Sequence, residues 1–154
     1  MTTCKSEISD IFSIFHDGSI TKFHDNGDNC IINIDCMYLA ERINQDHLYF
    51  ILKVNGLREL SLNVWPRNKD REPWVMTDPK QIFQAELDIF NSELINDKIV
   101  VRVGQEGDKT LDYSGGDLTF DCDSIEIFTQ DFNIISYETL VNVCKHYWDE
   151  FGRR

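Results

Sequence analysis

The sequence is poor in positive charge. Against 27 Asp and Glu it sets only 15 Lys and Arg in 154 residues, for a formal net charge of −12 and a pI near 4.6. Duplex nucleic acid and anionic lipid both demand a concentrated basic face, so neither is an expected partner. Long apolar runs are also missing: the longest are about four residues, where a membrane span takes about 20. The opening Met1-Thr2-Thr3-Cys4-Lys5-Ser6-Glu7 carries no basic n-region and no apolar h-region, so a cytoplasmic location is expected.

Cysteine is present without a pattern. Cys4, Cys30, Cys36, Cys122 and Cys144 are odd in number and contain no C-x-x-C pair. Cys30 and Cys36 fall in one strand-like run, where six residues separate them by about 20 Å, beyond disulfide reach. Reduced thiols and no zinc site are the expectation. There is no G-x-S-x-G elbow, no G-x-G-x-x-G and no P-loop, and the one near-miss, Gly104-Gln105-Glu106-Gly107, has acidic neighbours that would repel phosphate. Nucleophilic hydrolysis and nucleotide chemistry lose their usual signatures, no cofactor is expected, and no repeat suggests a solenoid.

What is there is enough for a core. Hydrophobic content of 42% with 10 Phe is that of an ordinary globular protein, and the length suits one domain over 1–154. Ile8, Ile11, Phe12 and Phe15 recur at helical spacing, predicting a short helix over 7–16 with Ser6 as cap and Gly18 as the left-handed residue past its end. Asn26-Gly27 predicts a hairpin that sets Thr21 and Phe23 beside Ile32 and Cys30, a register that also opposes Asp25 to Asp28. Cys30, Ile32, Ile34 and Cys36 alternate as in a half-buried strand, and 38–44 suits a helical turn. Leu48 to Val54 and Leu60 to Val64 alternate around Asn55-Gly56, predicting a second hairpin. Pro66, Pro73 and Pro79 mark 66–80 as the longest irregular connection.

Residues 79–90 are ambiguous. Asp78-Pro79 is a good helix start, yet Phe83, Ala85, Leu87 and Ile89 alternate cleanly, and a strand is preferred. Ile99, Val101 and Val103 make a further strand, Gly115-Gly116 a turn, and a parity change at Asp123-Ser124 a bulge or bend. Leu140, Val143, Cys144, Tyr147, Trp148 and Phe151 predict a docked C-terminal helix behind a Ser136 cap, with Glu138 in its first turn. Seven or eight strands with a helix at each end give an α+β domain, mainly antiparallel β, as a sandwich or strongly bent sheet.

Four constellations could carry function. His16-Asp17 and His24-Asp25 offer imidazole and carboxylate to a divalent ion and support a metal-assisted hydrolase, although His16 also suits a helix end and Asp25 an Asx turn. Trp65, Arg67, Arg71 and Trp74 lie in the proline-bearing connection, where Trp and Arg suit a contact surface and a lid over the core is the plainer account. Asp117, Asp121, Asp123 and Glu126 alternate along strands, either as a solvated face or as a recognition surface for a basic protein. His146 falls on the polar side of the last helix, and with His47 it completes the histidines without extending a ligand set.

Phe15-His16-Asp17-Gly18-Ser19-Ile20, Gly115-Gly116-Asp117-Leu118-Thr119-Phe120, Ser124-Ile125-Glu126-Ile127 and Cys144-Lys145-His146-Tyr147-Trp148-Asp149-Glu150-Phe151 resemble stretches of small uncharacterised bacterial domains. Some of those resemble immunity proteins of polymorphic toxin systems. The resemblance implies a non-enzymatic bacterial protein whose partner is a toxin, and it carries over no catalytic residue. The leading expectation is an acidic protein-interaction domain of immunity or inhibitor type. The alternatives are the metal-assisted hydrolase and a structural subunit packed through the Trp65 to Trp74 loop.

Overall fold

The computed structural model describes residues 1–152. Helix α1 (Lys5–Ile14) is followed by β1 (Ser19–Asp25), β2 (Asn29–Asp35), α2 (Met37–Ile43), β3 (Tyr49–Asn55), β4 (Arg58–Pro66), the short β5 (Val75–Met76) and the single-turn α3 (Pro79–Ile82). Then come β6 (Leu87–Ile95), β7 (Lys98–Gly104), β8 (Tyr113–Asp121), β9 (Ser124–Thr129), β10 (Ile134–Ile135) and α4 (Tyr137–Gly152). All ten strands form one sheet in the order β10-β9-β3-β2-β1-β6-β7-β8-β4-β5, and every neighbouring pair is antiparallel.

Two connections fix its shape. Gly56-Leu57 joins β3 to β4, and Cys122-Asp123 joins β8 to β9; each links strands six places apart in the order. In a flat sheet that separation would be about 29 Å, while so short a link spans only about 10 Å. The sheet therefore bends back until its two ends meet. Helix α1 fills the fold: Phe12 meets Phe120 of β8 edge-on at 5.5 Å, and Phe15 meets Phe50 of β3 at 5.0 Å. Ile8, Ile11, Phe12 and Phe15 are all fully buried in one continuous core, as their spacing predicts. The α+β class, the bent antiparallel sheet and both terminal helices are as expected.

Several local expectations are corrected. The first helix starts at Lys5 behind Cys4, with no side-chain cap from Ser6. The left-handed residue beyond it is Asp17 (φ 66°), while Gly18 is needed for space, since a Cβ there would lie 2.7 Å from the Asp35 carbonyl. The first hairpin pairs Phe23 with Ile32 but Asp25 with Cys30, so Asp25 and Asp28 do not oppose each other; the loop is longer and a bulge around Thr21 shifts the rest. The second hairpin does not form. Asn55-Gly56 is the turn of a crossover, and β3 pairs β2 and β9 while β4 pairs β8 and β5. Gly115-Gly116 is no turn either: both lie inside β8, Gly115 opposite Gly104 and Trp65. Residues 79–86 are not strand, because Asp78 caps α3 through the Lys80 amide and the strand begins only at Leu87.

The meeting of the two sheet ends is tied by charge. Arg58 donates to the Gly56 carbonyl at 2.9 Å and to Asp123 at 2.8 Å, and reaches Asp121 at 3.1 Å. Lys5 bridges Asp121 at 3.2 Å and Asp97 at 2.8 Å. Gly56 (φ 69°) suits the left-handed turn here, and its missing Cβ leaves the Asp123 carboxylate room to meet Arg58. The parity change at Asp123-Ser124 marks this corner.

Candidate binding cleft

β1 is left half-paired. β2 covers β1 from Ser19 to Asp25, but β6 reaches only Ser19 and Ile20 on the other side. The chain before β6 leaves the sheet because Asp78 accepts from the Lys80 amide at 3.1 Å and Pro79 presets the first helical residue, winding 79–82 into α3. Phe83 then stacks on Phe23 with centroids 4.4 Å apart and planes 10° from parallel. Between β1 and this detour opens a cleft of about 700 Å³ lined by 21–25, 78–80 and Phe83. A second hollow of about 470 Å³ shares Phe23, Asp25 and Pro79 with it and runs past the hairpin tip to 56–60 and Thr77.

The cleft has an apolar floor and a charged rim. Phe23, Phe83, Leu57 and Leu60 pack partly buried against the core. Asp25 accepts from the Gly27 amide at 2.8 Å, the Asx turn expected of it. Among the described residues Asp25, Asp28 and Asp78 join no ion pair, and the side chains of Lys22, His24 and Lys80 have neither hydrogen bond nor ion pair. By contrast Arg58 is held at the corner and Glu59 is paired with Lys98. The rim thus keeps charges of both signs outside any ion pair, with Asp25 and Asp78 accepting only from backbone amides. Its one sequence signal is Asp78-Pro79 set in front of a strand-like run; the stacking of Phe23 and Phe83, 60 residues apart, has none.

The expected contact residues are placed elsewhere and are largely engaged. Arg67 donates to the carbonyls of Gln105 (2.8 Å) and Leu111 (3.2 Å). Arg71 holds Asp112 at 2.8 Å and lies 3.7 Å over the Trp74 ring, which meets Tyr113 edge-on at 6.1 Å. The loop is pinned to 105–113, and Trp74 folds back against the core while Trp65 stays partly exposed on β4. Of the acidic series, Asp117 lies 3.9 Å from Arg102, Glu126 3.5 Å from Lys53, and Asp121 and Asp123 belong to the corner. Asp121 is buried; burial pushes its carboxyl up, and the Lys5 hydrogen bond, the Cys122 amide and the Arg58 charge outweigh this and hold it below the usual range.

The two His-Asp pairs are not brought together. His16 follows α1, its Nδ1 2.9 Å from the Ser13 carbonyl and its ring stacked 5.3 Å from Trp148. His24 and Asp25 sit at the far end of β1, with about 15–20 Å of strand between the pairs. Among the described residues no group of three or more His, Cys, Asp or Glu is placed to hold a metal ion, and no helix is long and apolar enough to cross a membrane. Comparison with family models, curated proteins and solved structures finds no match for the chain.

Proposed function

We propose that this is a non-enzymatic protein-interaction domain that receives a basic protein partner at the cleft beside β1. The observation that carries it is an open apolar hollow whose rim holds Asp25, Asp28 and Asp78, free of ion pairs, with Lys22 and Lys80 among them, on a chain of net charge −12. Arg58 and Glu59 beside it are already paired, so the three aspartates are the groups of this hollow that a partner's basic residues can meet. Long-range attraction then gathers the partner, and burial of its apolar side chains against Phe23 and Phe83 retains it. An inhibitor or immunity role, acting in the cytoplasm on a toxin, is the specific form of this reading that the sequence resemblance favours.

The test is kinetic. A partner captured on the immobilised chain is purified, and its association rate is followed from about 0.05 to 0.5 M salt, where the screening length shrinks several-fold. The rate should fall tenfold or more, and an Asp25→Lys, Asp28→Lys double variant, altered only at exposed positions, should associate at least tenfold more slowly at low salt. A rate indifferent to salt and to charge reversal would remove this reading.

A further inference from the structure

We infer that the cleft takes its partner as an added β-strand, an extended segment that pairs with the open edge of β1 over Thr21–Asp25. The inference rests on the binding role proposed above and specifies how the cleft would fill it.

The first ground is the backbone. In an antiparallel sheet each strand turns alternate N–H and C=O groups to its two neighbours. β1 is paired on both sides at Ser19 and Ile20, bulges at Thr21, and is paired on one side only from Lys22 to Asp25. All five residues from Thr21 to Asp25 line the cleft, whichever way their side chains point, so the strand edge itself is its wall. Five residues at about 3.3 Å each make an edge roughly 17 Å long. Unpaired edges of that length are usually shortened, bulged away or covered. Of the other one-sided stretches, β5 and β10 have two residues each, Thr2 bridges Ile125 beside β9, and Ser13 of α1 bonds the Ser92 backbone of β6, while β4 is also one-sided over Arg58–Ser61.

The second ground is the segment that could have covered the edge and does not. Continuing the pairing of Ile20 with Leu87 would bring Glu86, Ala85, Gln84 and Phe83 alongside β1. Their alternation suits a strand, yet Asp78 and Pro79 wind the chain into α3, so that only the Phe83 ring stays against β1 and the cleft opens beside it. The third ground is chemical. A strand seated there turns alternate side chains toward the stacked Phe23 and Phe83 and the others toward the rim, where Asp25, Asp28 and Asp78 pair with Lys or Arg beside Lys22 and Lys80, and the net charge of −12 favours a basic occupant. The occupant is therefore an extended segment of a basic partner, with apolar residues alternating with basic ones.

The experiment uses the full chain, uniformly labelled with ¹⁵N. The probe is an acetylated, amidated seven-residue peptide that alternates Lys with Val, Phe and Val, together with two copies N-methylated on alternate residues, one for each register, which keep the side chains and lose the edge hydrogen bonds. The expected result is saturable shift changes at 21–25, slowed amide exchange at every second residue of that run, and at least tenfold weaker binding by one of the methylated copies. The Asp25→Lys, Asp28→Lys variant should weaken binding similarly. Equal binding by all three peptides with shifts still centred on the cleft would overturn strand addition and leave the cleft as a side-chain site. An absence of shifts at the cleft up to millimolar peptide would overturn strand addition, and the salt and charge-reversal kinetics with the captured partner would then decide separately whether the cleft binds at all. Shifts at 21–25 that grow with protein concentration alone would assign the edge to a second copy of the chain and overturn a foreign strand.

Discussion

At the scale of the residue, burial decides the chemistry of the five thiols. Cys36 and Cys122 lie in the core, and burial pushes their pKa values up to about 12 and about 11. Burial raises Cys30 and Cys144 as well. Cys4 is exposed, and its hydrogen bond with the Ser6 side chain, helped by backbone amides, brings it below the ordinary thiol value. Thiolate is the nucleophile, so reactivity follows these directions. With a disulfide reagent at pH 8, one thiol per chain should react in a fast phase, Cys4→Ser should abolish that phase, and all five should react in denaturant. A fast phase of two or more thiols in the native protein would contradict this. The sequence makes reduced, mostly buried thiols an expectation: Cys30, Cys36 and Cys122 are buried, Cys144 is half-buried and Cys4 is exposed. The exception stands one residue before α1, where helical periodicity assigns no side.

At the scale of the element, what was legible is what is local. Alternation places the buried faces of β2, β3 and β7, and helical spacing places α1 and the first half of α4, where the Ser136 hydroxyl accepts from the Thr139 amide as a cap should, while Trp148 and Phe151 of the expected docked face stay exposed. What failed is pairing, because a turn sequence reports a reversal and not which strand lies beside the returning one. Asn55-Gly56 looks like a hairpin and is a crossover. The real hairpin between β6 and β7 turns on Asn96 and Asp97, with φ of 50° and 64°, a pair that tolerates the left-handed region without any glycine to mark it. Gly115 and Gly116 were equally opaque, since only the neighbouring strands show why they lack side chains. A Cβ on Gly115 (φ 151°) would stand 2.1 Å from the Val103 carbonyl, and one on Gly116 2.4 Å from that of Asn63. Both obstacles are backbone and cannot swing aside. Gly115→Ala should therefore lower unfolding free energy by about 2–4 kcal/mol, read as a lower urea midpoint at unchanged slope. Gly107→Ala, where a Cβ meets nothing within 4 Å, should stay within about 0.5 kcal/mol. Equal midpoints for the two variants would refute the close-packing account of β8.

At the scale of the whole molecule, the bent sheet depends on its corner, and the corner depends on carboxylates being charged. Asp121 is the hub, joined to Lys5 and Arg58, the residues that tie α1 and β4 to the end of β8. Its folded-state pKa is depressed relative to the unfolded chain, whose aspartates titrate near about 3.9. Asp108, through its hydrogen bonds with Thr110, and Asp131, through that with Thr129, are depressed too. A depressed carboxyl binds fewer protons folded than unfolded, so its contribution is complete above the unfolded value and is lost as pH falls through the folded one. Urea midpoints should accordingly hold from pH 7 to about 5 and decline below about 4. Asp121→Asn keeps an oxygen for the Cys122 amide but gives up both ion pairs. Its midpoint should lie below that of the parent chain at pH 7, and the gap should narrow as the pH falls, because acid removes from the parent what the substitution has already removed. A gap that stays constant from pH 7 to 2.5 would mean that Asp121 holds the corner by shape and hydrogen bonding alone. A narrowing gap would place the closure of the sheet on the charge of Asp121 and its two ion pairs.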